Sequence, residues 1–154
     1  MKTIRYLLLE QLYEYSKKPY KLLFKKEVAW GISVSELLSY PPNTLGYHLG
    51  CFLLKYHFTP EPQLENHDVF HVITATGISV PEEISMQFLL LGNGKRSLYL
   101  LLVICIGSIL FPDHWSVFKT AFYRGKKAHR LYDLNYVKLL HTPLHQLQST
   151  LNII

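Results

Sequence analysis

The sequence predicts an all-α fold, a single-domain multi-helix bundle of about seven or eight helices over residues 1–154. Apolar residues recur at helical spacing along most of the chain, and no long segment alternates apolar and polar residues as a half-buried strand does. Proline and glycine divide the chain into short segments. The length of 154 residues suits one domain, and the 49% apolar and 18% charged residues exclude intrinsic disorder.

The first predicted helices are short and carry recognisable start signals. Residues 4–16 place apolar side chains on one face and glutamates on the other, which predicts an amphipathic helix. Ser33-Val34-Ser35-Glu36 has the pattern of a capping box and predicts a short helix that ends at the prolines that follow. The next helix is expected to begin at Asn43 or Thr44 and to run to about Phe58.

The second half of the chain has comparable signals. Ser79-Val80-Pro81-Glu82 is a second capping box, Gly92-Asn93-Gly94 is the clearest turn, and Pro143 suits the start of a last short helix. The helices predicted here cover about residues 63–76, 79–91, 96–111, 114–132 and a short segment after Pro143.

The longest uncharged segment runs from Ser97 to Pro112. A membrane-spanning helix needs about 20 apolar residues, so a buried core helix is the favoured interpretation and a membrane-inserted segment is the alternative. Cys51 and Cys105 each lie in an apolar run and are expected to be small core residues. No signal or transit peptide is recognisable, and a reducing compartment is expected.

The net charge of +5 and the pI near 9.1 favour an anionic partner. Nucleic acid is not expected, because no nucleic-acid-binding motif accompanies the charge. An anionic membrane surface is the favoured partner, with an ordinary solvated helix face as the alternative. The basic residues form two blocks, Lys17, Lys18, Lys21, Lys25 and Lys26, and Lys119, Arg124, Lys126, Lys127 and Arg130.

His67-Asp68-Val69-Phe70-His71 is the most informative segment for chemistry. On a helix, His67 and His71 lie about 40° apart on one face, and Asp68 falls within the same arc. Glu83 follows in the first turn of the next predicted helix and can supply a fourth ligand. Two imidazoles and two carboxylates suit Zn²⁺, Fe²⁺, Mn²⁺ or Co²⁺. Spacing alone leaves a surface helix with paired polar side chains as an equal alternative.

Two named classes of metal enzyme fit this segment poorly. The zincin motif has glutamate where this chain has Asp68. An HD-type phosphohydrolase needs a further upstream histidine and a distant aspartate, and no spacing in the chain requires that arrangement. The phosphohydrolase class therefore stays as a third hypothesis.

Three parts of the chain together resemble the Coq4 family of ubiquinone-biosynthesis proteins. His67-Asp68-x-x-His71, followed after eleven residues by Glu83, resembles that family's HDxxH-x11-E motif. Tyr40-Pro41-Pro42-Asn43-Thr44-Leu45-Gly46 resembles its YPPxTLG segment. Gly125-x-x-Ala128 and Pro143-Leu144 are similar to its C-terminal region. The resemblance covers residues 33–154.

The resemblance implies a metal-dependent function in prenylquinone biosynthesis. Its expected metal ligands are His67, Asp68, His71 and Glu83, which hold a divalent metal, Zn²⁺ first and Fe²⁺, Mn²⁺ or Co²⁺ as alternatives. The implied reaction removes the C1 carboxyl group of a polyprenylated hydroxybenzoate, with hydroxylation at that carbon. An enzyme is therefore favoured, and the alternative is a non-catalytic scaffold or carrier that binds prenyl lipids.

The same resemblance implies partners and a location. Expected partners are a prenylated aromatic or other prenyl lipid, a second copy of the chain in a homodimer, and other quinone-biosynthesis proteins. The expected location is cytoplasmic and peripheral, on the inner face of the membrane. A prenyl tail needs an apolar channel, although the same residues also suit an ordinary core. The candidate lipid-binding residues are Met86, Phe88, Leu89, Leu90 and Leu102.

Overall fold

In a computed structural model the chain is all-helical over the residues that the structure describes, which are Ile4, Gln11, 30–60 and 65–154. No strand is present among these residues, and Thr44 and Pro143 form an isolated β-bridge. The predicted all-α class is confirmed. The described helices are α1 (Val34–Leu38), α2 (Leu45–Lys55), α3 (Glu65–Thr74), α4 (Val80–Gly92), α5 (Leu98–Leu110), α6 (Trp115–Lys127) and α7 (Leu144–Thr150), with 3-10 helices at Pro112–His114 and Tyr136–Leu139.

The predicted start signals operate as expected. The Ser33 hydroxyl accepts a 3.2 Å hydrogen bond from the amide of Glu36 at the start of α1. Thr44, one of the two predicted candidates, caps α2 by accepting from the amide of Tyr47. The amphipathic helix predicted for residues 4–16 lies almost entirely outside the described residues.

The ends of the helices are less well predicted than their starts. Helix α2 ends at Lys55 rather than at Phe58, because His57 adopts a left-handed φ of 56°. The amide of Phe58 then bonds back to the carbonyl oxygen of Leu53 at 2.8 Å, which closes a Schellman motif. Helix α6 likewise ends at Lys127, before the predicted Tyr132.

The described residues group into two compact units. The first unit comprises residues 30–60, 65–76 and 127–154 and contains α1, α2, α3 and α7. Helix α2 packs against α1 and α3, and α3 packs against α7. The side-chain amide of Gln148 donates a 2.9 Å hydrogen bond to the carbonyl oxygen of Ile73, and the ring of Phe70 meets that of Tyr136 edge to face. These contacts fix the position of α3.

Two of the segments that carry the family resemblance meet within the first unit. The amide of Leu45 donates to the carbonyl oxygen of Thr142 at 2.9 Å, and the amide of Leu144 donates to that of Asn43 at 2.8 Å. The ring of Tyr40 lies 4.4 Å from that of His141. The Tyr40–Gly46 segment and the start of α7 are therefore hydrogen-bonded to each other, which helps to position α2 beside α3.

The second unit, Gly77–Lys126, contains α4 and α5 and all but the last residue of α6. Its core centres on Ile84, Phe88, Phe111 and Phe118, and the rings of Phe88 and Phe118 stack 5.2 Å apart. Helices α4 and α6 approach so closely that a Cβ on Gly125 would overlap the carbonyl oxygen of Leu89. Glycine is therefore required at this crossing for steric reasons.

Helix α5 differs from the buried core helix that its composition predicts. Within α5 only Leu100 and Gly107 are buried, and Ile109 is 78% exposed. The expectation of a buried core helix is therefore wrong for most of its residues, which are half-buried or exposed, and Cys105, expected in the core, is exposed. Cys51 is half-buried.

Among the described helices, none alone has the length and apolar character that crossing a membrane requires. Taken together, α5 and residues Pro112–Lys127 have the length and composition of a membrane span, but the two helical segments are bent by 103° relative to each other.

Candidate metal centre

His67 and His71 lie one turn apart on α3, and their rings face each other. The ring centroids are 4.9 Å apart at an angle of 82°, and the two Nε2 atoms are 3.2 Å apart. This pairing follows from helix geometry, because residues at i and i+4 share a face. The prediction that the two imidazoles share one face is confirmed.

His71 is fixed by packing as well as by helix geometry. The residue is 3% exposed, and the ring of Phe52 on α2 stacks on the imidazole with centroids 5.3 Å apart and 16° between the planes. His67 is half-buried on the same face. A buried polar ring is stable only when its nitrogens have partners, so the contacts of His71 determine what it can do.

The other ring nitrogen of His71 contacts the main chain at the end of α3. Nδ1 lies 3.1 Å from the carbonyl oxygen of Thr76. Because a carbonyl oxygen only accepts hydrogen bonds, Nδ1 must be the donor and must carry a proton. In the neutral ring the lone pair is then on Nε2, the atom that faces His67.

Glu83 lies in the first turn of α4, as predicted. The Ser79 amide donates a 3.0 Å hydrogen bond to Oε2 of Glu82, and the Ser79 hydroxyl also contacts that carboxylate. This half of the predicted capping box defines where α4 begins. Glu82 is exposed, and its carboxylate bonds to Ser79 at the start of α4, whereas Glu83 is half-buried.

His67, His71 and Glu83 form a group that could hold a metal ion. Each residue offers one ligand atom, and these atoms all lie within 4.8 Å of one another. Two nitrogens bound to a tetrahedral zinc ion at about 2.0–2.1 Å lie about 3.3 Å apart, which matches the 3.2 Å between the Nε2 atoms. Two imidazoles and a carboxylate are also a donor set that divalent zinc, iron, manganese and cobalt accept.

Asp68 is the predicted ligand that the structure does not bring into this group. It is half-buried on α3, and the close donor atoms are those of the other three residues. Its role as a ligand stays a prediction.

The candidate lipid-binding residues are divided by their exposure. Met86, Phe88, Leu89 and Leu90 on α4 are buried, and Leu102 on α5 is exposed. Phe88 belongs to the core of the second unit. A role for these residues in lipid binding also stays a prediction.

Two features of the centre were not identified from sequence. The Phe52 ring reaches His71 through the packing of α2 on α3, which no local pattern indicates. The Thr76 carbonyl reaches Nδ1 because Ala75 adopts a left-handed φ of 52°. A glycine at that position would have been a recognisable signal for such a turn, but alanine is not.

Comparisons with known proteins give a structural likeness but no match by sequence. No protein-family model and no curated protein matches the sequence. A crystal structure from Nostoc punctiforme PCC 73102, of a protein provisionally assigned to ubiquinone biosynthesis, matches with a TM-score of 0.71 and 15% sequence identity. The match covers 98% of this chain and 82% of the Nostoc chain. At this identity, the chain shares the fold of that protein.

Proposed function

We propose that this chain is a Coq4-like protein of ubiquinone biosynthesis that uses a divalent metal to act on a polyprenylated hydroxybenzoate. The proposed reaction removes the C1 carboxyl group, with hydroxylation at that carbon. The observation that carries the proposal is the group of donor atoms from His67, His71 and Glu83. The shared fold with the Nostoc protein and the Tyr40–Gly46 segment add support.

The residues of the chain would bind and orient the reacting groups. His67, His71 and Glu83 would hold the metal, with Asp68 as the fourth predicted ligand. When bound, a divalent metal acts as a Lewis acid and stabilises negative charge as a carboxylate leaves as CO₂. Phe52 would keep water away from one face of the His71 ring, because it stacks there.

The second candidate function is a non-catalytic carrier or scaffold that binds prenyl lipids and has a structural metal. A structural site of this kind would need Asp68 as a fourth protein ligand, because structural zinc sites have four protein ligands and catalytic sites keep one position open to water or substrate. In that case the same ligands would join α3 to the chain that follows it and would stabilise the fold.

We further propose that the apolar face of α5 contacts an anionic membrane surface. Leu98, Leu101, Leu102 and Ile109 are exposed and recur at helical spacing, so they form one stripe. Arg96, just before α5, and Lys119 on α6 are exposed cations within the same unit. A basic residue near an anionic membrane contributes about 1 kcal/mol, which complements apolar insertion.

The deciding experiment is turnover after anaerobic reconstitution with metal. The protein is loaded with Zn²⁺, Fe²⁺, Mn²⁺ or Co²⁺ and incubated with a prenylated hydroxybenzoate and dioxygen. Release of CO₂ and a C1-hydroxylated product supports the enzyme. Tight binding of the prenyl lipid without turnover, for every metal, supports the carrier. The matched control is Glu83→Gln, which keeps the size of the side chain and removes its charge.

A further inference from the structure

We propose that the turn after α3 fixes the tautomer of His71, with Ala75 as a positioning residue that acts through the Thr76 carbonyl. The turn would keep the proton on Nδ1 and direct the Nε2 lone pair towards His67. The inference deepens the proposed metal site and rests on it for its purpose. Its structural basis is the geometry of α3 and of the turn that follows it.

The turn is a complete Schellman motif. The amide of Thr76 bonds to the carbonyl oxygen of His71 at 3.1 Å, and the amide of Ala75 bonds to that of Val72 at 3.4 Å. Ala75 occupies the position after the helix end that most often requires glycine, with φ of 52°. The chain therefore reverses over the last turn of α3 and returns to His71.

Two threonine hydroxyls reinforce this reversal. The Thr74 hydroxyl donates to the carbonyl oxygen of Phe70 at 2.7 Å, and the hydroxyls of Thr74 and Thr76 lie 2.7 Å apart. Because the Thr74 hydroxyl already donates its proton to the carbonyl oxygen of Phe70, the Thr76 hydroxyl must donate to the hydroxyl oxygen of Thr74. Thr76 is thus held through its amide and its side chain, and its carbonyl oxygen has a defined direction.

That direction determines the chemistry of His71. The Thr76 carbonyl oxygen lies 3.1 Å from Nδ1 of His71, and Nε2 of His71 lies 3.2 Å from Nε2 of His67. A histidine that binds metal through one nitrogen usually donates its other N–H to a carbonyl or a carboxylate, which fixes the ring. His71 already has this arrangement, and the turn at Ala75 provides the carbonyl.

The positive φ at Ala75 allows variants that should either keep the turn or open it. Glycine adopts positive φ readily, so Ala75→Gly should keep the turn. Valine is β-branched and strongly disfavours positive φ, so Ala75→Val should open it. Asn152 has φ of 53° in the same kind of turn after α7, so Asn152→Val disturbs a comparable turn elsewhere and is the matched control.

The direct test is the protonation of the His71 ring nitrogens in the metal-free full-length protein, from long-range ¹H–¹⁵N NMR correlations at about pH 8, where an unperturbed imidazole is neutral. The proposal expects a proton on Nδ1 in the wild type, in Ala75→Gly and in Asn152→Val, and expects the Nε2-protonated form to appear in Ala75→Val. A proton on Nε2 in the wild type overturns the proposal, as does an unchanged His71 in Ala75→Val.

A Zn²⁺ titration then separates this proposal from the proposed function. If the metal site exists, Ala75→Val should weaken zinc binding by about 10–100-fold, and Ala75→Gly should restore it. Equal zinc affinity in Ala75→Val and wild type contradicts the positioning role. Wild-type protein that has the expected tautomer but binds none of the four metals contradicts the metal function and leaves the tautomer assignment supported.

Discussion

The ring of Phe52 stacks on the imidazole of His71, with the centroids 5.3 Å apart and the planes inclined by only 16°. The contact joins α2 to the face of α3 that presents the candidate ligands. It also covers one face of the ring of His71, a residue that is only 3% exposed. The position of His71 therefore depends on a residue that has no metal-binding chemistry of its own.

Phe52→Ala should weaken metal retention by about tenfold or more, because contacts that orient a ligand typically change affinity by 10–100-fold. Phe52→Leu should retain more affinity, because an apolar side chain still covers the ring. Zinc titration of the purified variants provides the measurement. Phe58→Ala is the control, since Phe58 is exposed and packs on Phe52 and Tyr56. Equal affinities in Phe52→Ala and wild type would show that the stacking is not required.

Tyr136 should make the protein sensitive to alkaline pH. Its hydroxyl donates a 2.6 Å hydrogen bond to the carbonyl oxygen of Leu131, and burial, together with the nearby charge of Asp133, raises the pKa of its phenol. Its contribution to stability is fully present below the ordinary tyrosine pKa of about 10. Above that pH the unfolded chain loses the proton and the folded chain keeps it, so stability falls.

Tyr136→Phe should cost about 1 kcal/mol at neutral pH, the usual net value of one hydrogen bond. It should also flatten the loss of stability above about pH 10. Urea unfolding at a series of pH values measures both effects. The control is Tyr123→Phe, which removes an exposed phenol and leaves Tyr136 in place. If the stability of Tyr136→Phe still falls steeply above that pH, other titrating groups cause the loss and the role given to Tyr136 is wrong.

Gly125→Ala should destabilise the protein. The new Cβ would overlap the carbonyl oxygen of Leu89, and overpacking of this kind costs about 1–3 kcal/mol. Alanine regains about 1 kcal/mol of helix propensity, so the net loss is smaller than the steric cost alone. Lys119→Ala on the exposed face of α6 is the control. Thermal unfolding of both variants is the measurement, and a Gly125→Ala protein as stable as wild type would contradict the close crossing of α4 and α6.

Leu102→Gln should reduce binding to anionic vesicles by about tenfold or more, because burial of one leucine side chain contributes about 1.5–3 kcal/mol. The measurement is co-sedimentation with vesicles that contain phosphatidylglycerol, compared with neutral phosphatidylcholine vesicles. Leu54→Gln is the control, since Leu54 is an equally exposed leucine on α2. Wild-type protein that does not sediment with anionic vesicles would rule out the proposed membrane contact.

The sequence predicts those parts of the structure that depend on local geometry. His67 and His71 share a face because four residues make about one helical turn, and Ser33 and Thr44 cap helices because their hydroxyls reach nearby amides. The first-turn position of Glu83 follows from the capping box in the same way.

The parts that depend on tertiary packing could not be predicted. The apolar composition of α5 predicts that the helix is covered by other elements but does not identify them, and only two of its residues, Leu100 and Gly107, are buried. Phe52 reaches His71 only because α2 packs on α3. Ala75 adopts a conformation that alanine rarely has, so no propensity rule identifies the turn that aligns Thr76.

The central claim is that His67, His71 and Glu83 hold a divalent metal, and metal stoichiometry tests it most directly. The protein is purified after exposure to excess Zn²⁺, dialysed, and analysed for bound metal by elemental mass spectrometry. We expect about one zinc ion per chain in the wild type and in the control His145→Ala, which replaces an exposed histidine on α7, and little or none in His67→Ala, His71→Ala and Glu83→Gln. Wild-type protein without zinc, or folded His67→Ala and Glu83→Gln variants that retain a full equivalent, would contradict the claim.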